Sequence, residues 1–224
     1  MSQLSEQEIN RRKSLDELRK LGIDPYPAEK FDVNATAKDI LENYEKNKIH
    51  YKTISIAGRI MRKRIMGKAS FCELQDTTGR IQIYVTREDI SNGDDFTNYN
   101  TVFKKLINIG DFVGIEGFVF TTEKGEITIH VKKIKVLSKA VRPLPMPVED
   151  ADGVVHDAFT DPEQRYRQRY VDLVVNPEVR DAFVYRTKLT NSMRAFLNDK
   201  GYMEVETPVL IKSTPEGARD FVVP

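Results

Sequence analysis

The chain has 224 residues, 31% of them charged, with 35 Lys and Arg set against 34 Asp and Glu for a formal net charge of +1. That length allows one large domain or two small ones, and so small a net charge means that affinity for a polyanion must come from local charge separation. A single cysteine, Cys72, excludes a disulfide framework, His50, His130 and His156 lack metal-ligand spacing, and neither a signal peptide nor an apolar run of the ~20 residues that span a bilayer is present, so a cytoplasmic protein without membrane or metal is expected.

Residues 3 to 21 read as a charged helix, with Ser5 as N-cap, a thin stripe of Leu15, Leu18 and Leu21, and Gly22 as its stop before Pro25 and Pro27. Arg11, Arg12 and Lys13 could lie along nucleic acid, but a solvated helix docked by its leucines is the favoured reading. A second short helix is expected over 36–47. Three strands follow. In the first, Ile54, Ile56, Gly58 and Ile60 alternate with Ser55, Ala57, Arg59 and Met61. In the second, Ser70, Cys72 and Leu74 share one face and Phe71, Glu73 and Gln75 the other; in the third, Ile81, Ile83 and Val85 face in and Arg80, Gln82 and Tyr84 out. Thr78-Gly79 signals the hairpin turn between them.

The polar sheet face therefore carries Phe71, Gln82 and Tyr84 beside a basic cluster of Arg59, Arg62, Lys63, Arg64 and Lys68. Aromatic rings to stack, an amide for base edges and cations for phosphate are what a single-stranded nucleic-acid platform needs. Each has a plainer reading as well: Phe71 as cover for a neighbouring strand, Gln82 as ordinary strand polarity, the cations as solubility.

Next, Tyr99, Val102, Phe103, Leu106 and Ile107 trace an amphipathic helix over 96–108, closed by Gly110. Strands over 111–121 and 126–137 follow, turned by Lys124-Gly125, with a slip of parity at Lys132-Lys133 that a bulge would explain. Three strands, a helix and two strands make a five-stranded OB-fold barrel, whose strand 2–3 face binds oligonucleotides; the helix position argues against an SH3-like barrel. Residues 138–164 read as a linker stiffened by Pro143, Pro145 and Pro147 and made acidic from Glu149 onward. Asn176 as N-cap and Pro177 at N1 start a helix whose face of Val179, Phe183, Thr187, Thr190, Met193, Phe196 and Leu197 runs to Gly201. Tyr202 to Leu210 then looks extended, and Pro208 puts it on a sheet edge or at a bulge rather than mid-sheet; an exposed edge of this kind is either covered or paired with another subunit.

Gly201 to Leu210, GYMEVETPVL, resembles motif 1 of the class II aminoacyl-tRNA synthetases, a helix plus strand at their dimer interface. With an N-terminal OB-fold it points to subclass IIb, the lysyl, aspartyl and asparaginyl enzymes. Within that group the stretches LGIDPYP, GRIMRKRIMGKASF, ELQDTTGRIQIYV, GDFVGIEGFVF, RPLP and RYRQRYVDLVVNPEVRD are most similar to bacterial lysyl enzymes. The resemblance runs over roughly residues 9 to 210. The last thirteen residues, from Lys212, resemble the aspartyl enzymes instead, where the loop closes over the amino acid; Glu216 would there approach a substrate ammonium group, or else is a turn residue after Pro215.

The resemblance implies lysine–tRNA ligation, with ATP and Mg²⁺ as cofactors of the full-length enzyme. The matching domains are an N-terminal helical extension (1–50), an OB-fold anticodon-binding domain (51–140), a linker (141–164) and the start of a catalytic domain (165–224). It also implies that Phe71 stacks on the central anticodon base, Gln82 reads that base's edge, Arg64 lies nearby, Glu126 helps read a flanking base, and Arg59 and Lys68 add positive charge. Phe183, Gly201 and Pro208 fall in the dimerising motif, so a homodimer that binds a tRNA anticodon stem-loop is expected. Motifs 2 and 3 do not follow, and the chain by itself is expected neither to hold those cofactors nor to aminoacylate. The alternatives are an aspartate–tRNA ligase or a non-catalytic OB-fold RNA-binding module.

Overall fold

In the computed structural model residues 4–209 are described, apart from 92, 94, 150–154 and 157–158. The chain divides into two compact units, Met1–Leu144 and Pro145–Pro224. Among the described residues no helix is long and apolar enough to cross a membrane.

The first unit opens with α1 (Glu6–Lys20), where Ser5 and Glu8 cap one another reciprocally. Leu15 and Leu18 are buried, but Leu21, expected in the same stripe, is 44% exposed, because the helix ends at that turn. After α2 (Ala37–Asn43) come β1 (Ile54–Met66), β2 (Ala69–Gln75) and β3 (Arg80–Thr86), then a helical segment Asn98–Leu106, then β4 (Phe112–Thr121) and β5 (Ile127–Ser138). The strands close a barrel in the order β1-β2-β3-β5-β4, with β1 also pairing β4 and only β3–β5 parallel. This is the OB-fold arrangement expected from the element order.

Ser70, Cys72 and Leu74 face the core as their alternation predicts, and the buried Ser70 hydroxyl is satisfied by the Tyr99 hydroxyl at 2.9 Å. Burial pushes the Cys72 thiol up to about 12, so it serves as a small apolar residue. The β2–β3 turn is held by Asp76, whose Oδ1 accepts from the Thr78 and Gly79 N–H groups at 2.7 and 2.9 Å while Oδ2 takes the Ala37 N–H of α2 at 2.7 Å.

Three local details depart from simple periodicity. The β1–β2 register shifts between Ile60 and Arg62, so that Met61, expected outside, is buried at 1% beside Ile60. The segment carrying Tyr99, Val102, Phe103, Leu106 and Ile107 is a π-helix rather than an α-helix, with the Ile107 N–H donating to the Val102 carbonyl at 2.9 Å; the expected side chains are nonetheless the buried ones. The parity slip near Lys132 is a bulge: Glu116 faces Lys133 but Gly117 faces Val131. A Cβ on Gly117 would come within 2.0 Å of the His130 carbonyl oxygen, so only glycine lets β4 lie this close.

The barrel is laced to its own flanks beyond β5. Lys139, just past the last barrel strand, is fully buried with its Nζ 2.7 Å from Asp111 Oδ2.

In the second unit, Val148–Glu149 pairs with Val155–His156. Next come α3 (Pro162–Arg167), capped by Asp161, α4 (Arg169–Val175) and α5 (Pro177–Asp199). The acidic stretch is thus partly helical, with Asp161 accepting the Gln164 N–H at 3.1 Å rather than acting as spacer. Pro177 starts α5 as expected, but the Asn176 side chain does not cap it; its amide donates to Phe159 O at 3.1 Å and Asp172 Oδ1 at 2.7 Å. Gly201, at φ 83°, ends α5, with its N–H on the Asn198 carbonyl and that of Tyr202 on Leu197. Residues 202–209 pair with no strand among the described residues.

Candidate nucleic-acid interface

Four neighbouring strands each place one ring on the outer surface, in register. Phe71 on β2 lies opposite Tyr84 on β3, Tyr84 opposite His130 on β5, and His130 opposite Phe118 on β4. Their chain neighbours Cys72, Ile83, Ile129 and Val119 fill the core, so the period of two sends the rings outward. Successive ring centroids are 4.9, 5.2 and 4.8 Å apart, the last pair stacked. Phe120 turns an edge to Tyr84 at 6.0 Å. All five rings are half-exposed. Next to Phe71, Tyr84 and Phe120 runs a groove of about 1120 Å³, walled by Gln82, Arg62 and Arg64 and by Thr122, Glu123, Lys124 and Glu126 of the β4–β5 turn.

The polar groups of the groove are already oriented. Thr128 Oγ1 donates to Gln82 Oε1 at 2.9 Å, and Gln82 Nε2 donates to Glu126 Oε2 at 2.8 Å. These two bonds use one N–H and one lone pair of the Gln82 amide and leave one of each. Arg64 is exposed and stands across the strand from Phe71. Arg62 faces Glu73, whose carboxylate is taken by Arg80 at 2.9 Å. Asp89 buttresses the row: its Oδ2 lies 2.6 Å from His130 Nε2 and accepts from Thr86 Oγ1, and its Oδ1 pairs with Lys132. Burial would push this carboxyl up, but the Lys132, Thr86 and His130 hydrogen bonds outweigh it and hold it down at about 2.

Phe71, Gln82, Arg64 and Glu126 are thus brought to one groove, and Arg59 and Lys68 are not among its walls. Arg59 donates to the Gly110 carbonyl at 2.9 Å and covers the Phe112 ring at 4.2 Å, tying β1 to the start of β4. Lys68 is exposed at the β1–β2 turn.

Lys63 corrects the basic cluster. Its ammonium donates to the carbonyls of Phe103, Lys104 and Ile107, closing the end of the π-helix, and burial brings its pKa down to about 8. The folded pKa lies below the ordinary 10.5, so this group's stabilising contribution is complete above about 10.5 and lost as pH falls toward 8. Lys63→Met is therefore expected to flatten the rise of stability over that window, read by urea unfolding at several pH values. Its affinity for RNA and the salt slope should stay unchanged; a reduced slope would return Lys63 to the phosphate-binding set.

Phe118, Phe120 and His130 are not singled out by the sequence: a period of two through 116–120 puts both phenylalanines on one face of β4, but the register that sets them beside His130 comes from the β4–β5 pairing. Of the motif 1 residues, Phe183 is 42% exposed on α5, Gly201 ends the helix, and Pro208 lies in the unpaired segment. Glu216 and the rest of the aspartyl-like end lie outside the described residues.

Comparison with known proteins matches residues 54–137 to the OB-fold nucleic acid binding domain and residues 161–224 to the class II tRNA synthetases of the D, K and N group. The lysine–tRNA ligase of Porphyromonas gingivalis is 59% identical over 223 residues, 98% of this chain and 38% of that protein. That of Christiangramia forsetii is 56% identical over 224 residues, 99% of this chain and 38% of its own length. The lysine–tRNA ligase of Azobacteroides pseudotrichonymphae is 52% identical over 221 residues, 98% and 44% respectively. The chain thus spans about two fifths of the length of the relatives it matches.

Proposed function

We propose, from the match of residues 54–137 to the OB-fold nucleic acid binding domain and of residues 161–224 to the class II tRNA synthetases of the D, K and N group, that this chain is the anticodon-binding and dimerising portion of a cytoplasmic lysine–tRNA ligase. The observation that carries the reading is the groove in which Phe71, Gln82, Arg64 and Glu126 meet. Phe71 stacks on the central base of the anticodon, as exposed rings on OB-folds do. Gln82, its amide oriented by Thr128 and Glu126, reads that base's edge; Arg64 takes the adjacent phosphate or base; Glu126 faces a flanking base. The similarity of nearly the whole chain to lysine–tRNA ligases favours lysine over aspartate.

Such an enzyme adenylates lysine with ATP and Mg²⁺ before passing it to tRNA. In this portion α5 has the dimerising role, its exposed Phe183, Met193 and Phe196 set against a second copy.

Sedimentation of the 224-residue chain with labelled anticodon stem-loops tests both parts. A dimer is expected, binding the lysine stem-loop at least about tenfold more tightly than the aspartate one. Equal affinity for both and for an arbitrary oligonucleotide would make it a general single-strand binder, and a monomer would remove the role given to α5.

A further inference from the structure

The aromatic row is longer than one stacked base requires. Phe71 and Tyr84 border the groove, but the row continues across β5 and β4 to His130 and Phe118, outside the groove walls. The Phe118–His130 pair is itself a built feature. Its rings are stacked at 4.8 Å with 30° between their planes. Asp89 fixes the imidazole through Nε2, and Lys132 Nζ stands 5.7 Å from the Phe118 centroid. Neither ring is needed to seal the core, since Val119, Ile129 and Val131 fill that side of the barrel and are buried. Aromatic residues kept at a half-exposed surface, in line with a nucleic-acid groove and next to a cation, have the makeup of a stacking position with a phosphate contact.

The geometry points to a second nucleotide-stacking site at Phe118 and His130, taking an unpaired nucleotide of the same RNA strand that places a base on Phe71, with Lys132 on its phosphate. Three inter-strand steps separate Phe71 from Phe118, roughly 14 Å at the usual strand spacing, so the two rings serve different nucleotides. An OB-fold track of roughly 4–16 nucleotides accommodates both. Sheet stabilisation by a cross-strand aromatic pair is the competing account, and it predicts an effect on stability alone.

The inference rests on the anticodon-loop reading above, and the test separates the two. A lysine anticodon stem-loop carrying 2-aminopurine at one loop position at a time is titrated with the wild-type chain and with Phe71→Leu, Phe118→Leu and Phe118→Tyr, with the melting temperature of each recorded. Phe118→Leu is expected to weaken binding about fivefold or more. It should also release quenching at a loop position different from the one released by Phe71→Leu, while Phe118→Tyr, which keeps a ring, retains both. If Phe118→Leu changes only the melting temperature while Phe71→Leu weakens binding, the second site is overturned and the anticodon reading stands. If neither variant changes binding, both fall.

Discussion

Asp111→Ala is expected to lower the stability of the first unit by about 3–5 kcal/mol, the cost of stripping one partner from a buried ion pair. Asp111 and Lys139 are both completely inaccessible, with Nζ 2.7 Å from Oδ2. The same carboxylate accepts the Asn108 N–H at 2.7 Å and the Ala140 N–H at 2.8 Å, and Lys139 Nζ also reaches Asn108 Oδ1 at 2.5 Å. Burial drives the Lys139 pKa down while Asp111 opposes it, so removing the carboxylate strands an ammonium and two backbone donors together. The N-terminal segment loosens as well. The Lys139 N–H donates to the Pro25 carbonyl at 3.1 Å, the Tyr26 hydroxyl to the Lys139 carbonyl at 2.9 Å, and Arg11 to the Ala140 carbonyl at 3.2 Å. Urea unfolding measures the loss. A change below about 1 kcal/mol, the scale of a surface pair, would show that the site is solvated. The double variant Asp111→Leu with Lys139→Met should recover most of the stability, since it leaves no lone buried charge.

Phe71→Ala is expected to weaken binding of a lysine anticodon stem-loop more than tenfold, within the ~1–3 kcal/mol that one base–aromatic stack contributes. The ring is half-exposed and its strand neighbours Ser70 and Cys72 hold the core, so the barrel should still unfold at nearly its wild-type midpoint. The salt dependence should also persist, because Arg62 and Arg64 remain. Unchanged affinity in a folded variant would end the stacking role. A loss of affinity accompanied by a large drop in midpoint would instead make Phe71 a packing residue against Tyr84, its neighbour at 4.9 Å.

The barrel was legible because its signal is repetitive. Ile81, Ile83 and Val85 alternate cleanly, Thr78-Gly79 marks a turn, and the break in parity at Lys132 announces the bulge. Phe71 and Gln82 could be read as outward-facing for the same reason. What escaped depends on three-dimensional neighbours. Lys63 sits in a run of cations, and nothing in that run says that the bulge after Ile60 and the carbonyls of the π-helix will claim its ammonium. Lys139 follows the last barrel strand and looks like the first residue of a linker until Asp111, 28 positions earlier, is seen beneath it. Phe118 and Phe120 read as generic strand residues because β4 is dense in apolar side chains. Only the pairing of β4 with β5 reveals that they border His130.

The division of the aromatic row between two hairpins bears on how the protein matures. Phe71 and Tyr84 belong to the β2–β3 hairpin, and His130 and Phe118 to the β4–β5 hairpin; the halves meet only through the parallel β3–β5 seam, more than forty residues apart in sequence. Pairing over that separation pays its loop-closure entropy before any contact rewards it. Either hairpin alone carries half of the row, so a partly synthesised or partly refolded chain lacks the continuous aromatic row until the last barrel strand has docked.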